Sequence, residues 1–95
     1  VLFVVAAVLA SLGPAVQAMP GPLDDIRARG HVVCGVGVDA KGYATADKQG
    51  AWSGMSVDFC RALAAAVLGN KTAVKFEPIP AEDQIAAVRS GRVDV

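Results

Sequence analysis

Residues 31–38, HVVCGVGV, form an apolar, β-branched run with no polar side. An antiparallel strand can alternate and leave one face in water; a run like this belongs to a strand covered on both faces. The stretches around it say how the cover is supplied. LDDIRARG, 23–30, puts Leu23 and Ile26 one turn apart, with acids first, bases last and Gly30 as a stop, and predicts a short helix. From about Ser56, VDFCRALAAAVLG carries Phe59, Leu63 and Val67 at helical spacing, with Cys60 and Ala64 beside them, and stops at Gly69-Asn70. TAVKFEPIP, 72–80, alternates Val74 and Phe76 with Lys75 and Glu77 and reads as a second strand. AEDQIAAVRSG, 81–91, sets Ala81, Ile85 and Val88 on one face and ends at Gly91, and RVDV, 92–95, opens a third strand. Strands alternating with helices predict an α/β fold of order β-α-β-α-β, with a parallel sheet, right-handed crossovers and helices on both faces.

Between the first strand and the following helix lies a polar segment, 37–55, of about twenty residues. A structural connection of this kind needs only about two to six. The segment leaves the carboxyl end of a strand, the edge at which parallel α/β sheets bind ligands. Its composition predicts a folded loop. Asp47-Lys48-Gln49-Gly50 is a turn signal, Trp52 offers an apolar anchor against the body, and Gly54 lets the chain turn tightly into the helix. Tyr43 stands between Gly42 and small residues, where it either projects into a cleft or lies on the surface.

A second motif competes for the same residues. Gly35-Val36-Gly37-Val38-Asp39-Ala40 satisfies the G-x-G-x-x-A dinucleotide fingerprint. That chemistry needs a helix to begin inside the motif, so that its amides meet a pyrophosphate. KGYATADKQG follows instead, with two more glycines and no helical period, which argues against a nucleotide. Catalytic patterns are thin. His31 begins a strand at the far edge from the loop; Asp39, Asp47 and Asp58 have no histidine partner; Ser53 and Ser56 read as helix caps. With one distant histidine, Cys34 and Cys60 are too few for a structural zinc site, so no metal or cofactor is expected. The two cysteines fit either a disulfide between strand and helix or a pair of buried thiols.

Residues 1–12, VLFVVAAVLASL, are wholly apolar, and Pro14 cuts the run short of the ~20 residues a membrane-spanning helix needs. Followed by the small residues AVQA, they read as the apolar and cleavage regions of a signal peptide, 1–18, incomplete at its start, with cleavage after Ala18. Residues 19–22 form a linker. The 9 basic and 9 acidic residues all lie beyond residue 18 and are interspersed. That balance excludes a basic stripe for nucleic acid and a polybasic membrane patch. An exported, soluble chain without membrane insertion of the mature part is expected, in a compartment that permits a disulfide.

Several of these stretches together resemble the N-terminal part of bacterial periplasmic solute-binding proteins of the amino-acid class, family 3. The similarity is strongest to the subgroup serving general L-amino-acid ABC transporters. It is carried by LDDIRARG running into VVCGV, by KGYATAD and DKQG, by WSG-MSVDFCRALAAAVLG and by SGRVDV, across residues 23–95. The family's helix-entry pattern reads here Gly54-Met55-Ser56-Val57-Asp58-Phe59, with Ser56 in place of the usual first acid. The resemblance implies a periplasmic-binding-protein-like (type II) lobe, of which 23–95 is the N-terminal part, with a second lobe outside this chain. It implies a periplasmic monomer that closes on a free L-amino acid and passes it to membrane permease subunits, without being an enzyme. It puts Tyr43 where the family has an aromatic against the ligand, and Gly37, Val38 and Asp39 at the ligand-facing end of the first strand. Asp39 is then a candidate for the ligand's ammonium, or a turn residue. Gln84 stands where the family often has an arginine. The alternative is an enzyme on the same scaffold, resembling a cyclohexadienyl or arogenate dehydratase or a lytic transglycosylase; a membrane receptor's sensor domain is a third reading.

Overall fold

The computed structural model describes residues 13–14, 19–38 and 40–95. The leader assigned to 1–18 lies almost wholly outside the described residues, and so does Asp39. Helix α1 (Pro22–Arg29) starts with proline at its first position, and the Asp24 carboxylate accepts the Gly21 amide at 2.9 Å. Its one buried side chain, Ile26, packs with Val32 and Ala64, while Leu23 is exposed.

Strands β1 (Val32–Gly37) and β4 (Val74–Ile79) pair in parallel, from Val32 opposite Val74 to Gly37 opposite Ile79. Parallel neighbours need a crossover, and α2 (Met55–Leu68) supplies it. Val32, Cys34 and Val36 are buried on the α2 side, against Val57, Cys60 and Ala64. On the other side Ile79, Ala87 and Val93 form a second layer with Val33 packed against it. That face is half-buried rather than closed, because the helix over it, α3 (Gln84–Arg89), is short. A Cβ at Gly35 would sit 3.3 Å from both Ile79 and Val93, so the bare backbone lets this layer come close.

Three elements differ in detail from their sequence patterns. The expected helix over 81–91 is a 3-10 turn (Ala81–Asp83) followed by α3, and Ala87 is its buried residue, with Ile85 and Val88 exposed. Pro78 and Pro80 keep the chain extended to Ala81, and the tighter first turn rotates the later residues off the expected face. In α2 the buried line is Val57-Cys60-Ala64, and Phe59 is 61% exposed. Small side chains win that face because α2 lies close on β1, which leaves no room for a ring. Residues 92–95 are not a regular strand. Yet Asp94 donates its amide to the Val33 carbonyl at 2.8 Å, and Gly35 donates to the Val95 carbonyl at 2.7 Å. The segment therefore runs beside β1 on the edge opposite β4, where the third strand is expected.

Cys34 and Cys60 are joined in a disulfide, with Cα atoms 6.3 Å apart and both residues buried. It closes a loop with a sequence separation of 26, which in the chain-entropy account is worth about 3 kcal/mol. Replacing both cysteines with alanine should therefore lower the stability of the lobe that holds them by about 3 kcal/mol. Urea unfolding of the full-length gene product, with and without the pair, checks this.

Candidate functional site

Where β1 ends at Gly37 the chain does not enter a helix. Residues 40–44 form a turn, with the amides of Tyr43 and Ala44 donating to the Ala40 carbonyl at 3.0 and 2.9 Å. A hairpin of β2 (Thr45–Ala46) and β3 (Trp52–Ser53) follows, antiparallel, with Ala46 opposite Trp52. The next helix starts only at Met55, so the dinucleotide fingerprint lacks the helix it requires. The hairpin tip is built on Asp47. Its carboxylate accepts the amides of Gln49 and Ala51 at 2.9 and 2.8 Å, and its carbonyl accepts the Gly50 amide.

The long segment is thus folded, and two contacts hold it to the body. Trp52 is half-buried, its ring centroid 6.0 Å from that of Phe76 in a tilted pair. Arg61 donates to the Trp52 carbonyl at 2.9 Å and lays its guanidinium 5.7 Å over the Phe76 ring. Its ion pair with Asp58 at 3.6 Å is exposed and adds little. Next to this, Ala44 is buried among Cys34, Val36, Val57 and Cys60.

The second contact is at the start of α2. A helix begins with amides that have no partner inside it. Here Met55 donates to the Gly42 carbonyl at 3.0 Å and Ser56 to the Tyr43 carbonyl at 2.9 Å. The residue at the cap position is Gly54, and no side chain caps the helix. The sequence reading of Ser53 and Ser56 as caps is corrected accordingly: loop carbonyls take that role. Gly54 has φ 125°, and a Cβ there would lie 2.3 Å from the Tyr43 carbonyl oxygen. No side chain fits.

Two cavities meet at the carboxyl ends of β1 and β4. One, of about 420 Å³, is lined by Gly37, Val38, Lys41, Thr45, Trp52 and Pro78 among others. The other, of about 260 Å³, is lined by Gly37, Ser56, Ile79, Gln84, Val93 and Val95 among others. Gly37 belongs to both. Val38 is exposed and lines the first. Tyr43 lines neither; the residue is 53% exposed, while its backbone is fixed on both sides. Lys41 and Thr45 were not singled out from the sequence, although their place in the loop was the available signal. Ser56 was noticed for the wrong role. Among the described residues no three His, Cys, Asp or Glu side chains gather as a metal site would need, and no helix is long and apolar enough to cross a membrane.

Residues 32–95 match the family model of the bacterial extracellular solute-binding proteins, family 3. The chain belongs to that family. It is 45% identical over 73 residues to the general L-amino acid-binding periplasmic protein AapJ of Rhizobium johnstonii, covering 77% of this chain and 21% of the relative. To the glutamate/glutamine/aspartate/asparagine-binding protein BztA of Rhodobacter capsulatus it is 44% identical over 73 residues, covering 77% and 22%. Among solved structures, the ABC transporter/periplasmic binding protein from Brucella ovis with glutathione bound superposes with a TM-score of 0.75 at 41% identity, over 79% of this chain and 23% of that one. The α/β lobe with its parallel strands is therefore the family's own fold. The chain spans about a fifth of the length of the curated relatives it matches.

Asp47→Ala frees two backbone amides at once and should cost about 1–2 kcal/mol. Hydrogen exchange of the Gln49 and Ala51 amides in the full-length gene product checks it, with faster exchange expected at both.

Proposed function

We propose that this chain is the amino-proximal part of the first lobe of a periplasmic binding protein that captures free L-amino acids for an ABC transporter. The membership in family 3 carries the reading, together with a long folded segment fixed at the carboxyl edge of the sheet. A zwitterion needs donors for its carboxylate, an acceptor for its ammonium and apolar surface for its side chain. Tyr43 offers an apolar face, Gly37 brings bare backbone and Val38 an exposed aliphatic side chain to the first cavity, and Asp39 is the acid that would meet the ammonium. Gln84, from the second cavity, offers a neutral amide. The complete protein works as a monomer that closes two lobes on the amino acid and hands it to permease subunits. The closed state is favoured by as much as the amino acid binds it better than the open one. Residues 1–18 direct export, and Met19 becomes the mature N-terminus.

Relatives named for acidic and amide amino acids, and for L-amino acids in general, support a broad specificity that includes L-glutamine. Their names describe binding proteins, which favours capture over the dehydratase or transglycosylase alternative.

The test is a thermal-shift screen of the full-length gene product against the common L-amino acids. At about a hundredfold excess over Kd, binding adds about 2.7 kcal/mol and should raise Tm by roughly 5 °C or more. L-glutamine should be among the hits, and Tyr43→Ala should weaken its binding on the order of tenfold. A flat response to every amino acid sinks the reading. Mass spectrometry of the exported protein should find Met19 at its N-terminus.

A further inference from the structure

We propose that Gly54 and the first two amides of α2 form a positioning device for Tyr43, so that the start of the helix sets where the tyrosine ring stands. The proposal rests on the reading of Tyr43 as a wall of the amino-acid site, and it names what holds that wall.

The ring itself is exposed and belongs to no cavity, so its own packing does not place it. The backbone does. The Tyr43 amide donates to the Ala40 carbonyl at 3.0 Å, and its carbonyl accepts from Ser56 at 2.9 Å. One residue earlier, the Gly42 carbonyl accepts from Met55 at 3.0 Å. One residue later, Ala44 is locked in the layer around the Cys34–Cys60 disulfide. Both backbone polar groups of Tyr43 are committed, and its neighbours are fixed on either side.

Gly54 is what lets the two segments come this close. A Cβ there would lie 2.3 Å from the Tyr43 carbonyl oxygen, 2.5 Å from its carbon and 3.0 Å from the Ala44 nitrogen. Gly42 and Gly50 also have positive φ, yet a Cβ at either would meet nothing within 4 Å. Their glycines serve local turns. At Gly54 the demand is an approach between two backbones, and what it touches is Tyr43. Any side chain at 54 must push the Tyr43 backbone away, and the ring moves with it.

A double-mutant cycle on the full-length gene product tests this, with L-glutamine as the probe in titration calorimetry. Gly54→Ala should weaken L-glutamine binding on the order of tenfold in the presence of Tyr43. In a Tyr43→Ala background it should cost nothing further, because its effect passes through the ring. Met55→Pro is the second variant. Proline suits the first helical position and keeps α2, but it removes the amide that holds the Gly42 carbonyl. Because a ring carbon takes the place of the amide hydrogen, the Gly42 carbonyl is also pushed away, and L-glutamine binding should weaken several-fold only when Tyr43 is present. If Gly54→Ala does not fold, the Met55→Pro cycle decides alone. Equal losses in both backgrounds, or no loss from Met55→Pro, overturn the positioning role while leaving the site itself standing. A Tyr43→Ala protein that binds L-glutamine like the unsubstituted one removes the reading of the wall, and the positioning role falls with it.

Discussion

The two hydrogen bonds from Met55 and Ser56 to the carbonyls of Gly42 and Tyr43 decide what this chain can do with its longest connection. Helix starts need acceptors for their free amides, and the side chain of the residue at the cap position is the usual source. Here the acceptors come from a segment that left the sheet at Gly37. The helix is capped and the loop is fastened by the same pair of bonds. Because capping and fastening are one event, the segment cannot detach without leaving the start of α2 unsatisfied. The cost of holding the loop in place is thereby shared with the cost of starting the helix, which a structure of this size has to meet anyway.

That arrangement needs a close approach, and the interior is built from small groups to allow it. The buried side chains among the described residues are Ile, Val, Ala and Cys, without an aromatic ring. Cys34, Val36, Ala44, Val57 and Cys60 form one layer between β1, α2 and the loop. Fully burying one aliphatic side chain contributes about 1.5–3 kcal/mol, so a disulfide worth about 3 kcal/mol weighs as much as one or two of these residues. The large rings sit outside the layer. Trp52 and Phe76 meet at its margin under Arg61, where their size closes the hairpin over the core without forcing β1 and α2 apart.

The order of elements and the parallel pairing were legible because the first strand has no polar side and the second helix has an apolar one. The turn at Asp47–Gly50 was legible from its residue types. Faces were less so. Phe59 and Val88 fit a helical stripe as well as Cys60 and Ala87 do, and periodicity does not say that the strand beneath will admit only the smaller side chain. The hairpin within 37–55 was not foreseen as strands, since two residues on each side are too few to show alternation. The caps were misread for a different reason. A serine near a helix start is a sound local signal, but the actual acceptors, Gly42 and Tyr43, are backbone carbonyls well upstream of their donors Met55 and Ser56, and a carbonyl leaves no mark on the sequence. Gly54 did leave one: a glycine at a helix entry is permissive of a turn. Only the structure shows which atom stands where its side chain would be.

The two ends of β1 differ in what surrounds them. At its amino end the Asp94 carboxylate accepts the Val33 amide at 2.7 Å, in the place of a backbone acceptor, and pairs with Arg29. Arg29 in turn donates to the His31 carbonyl at 3.0 Å, which ties the end of α1 to the start of the strand. Charge-assisted bonds of this kind are stronger than neutral ones, and the carboxylate is mostly shielded from water, with 13% of its side chain exposed. At the carboxyl end no such ion pair is found among the described residues. Gly37 presents bare backbone to two cavities, the first of which it shares with Lys41. A strand pinned at one end by ions and left open at the other can keep its backbone fixed while offering unencumbered peptide groups to whatever enters. The same six residues thus form the centre of the sheet and, at Gly37, a wall shared by two cavities.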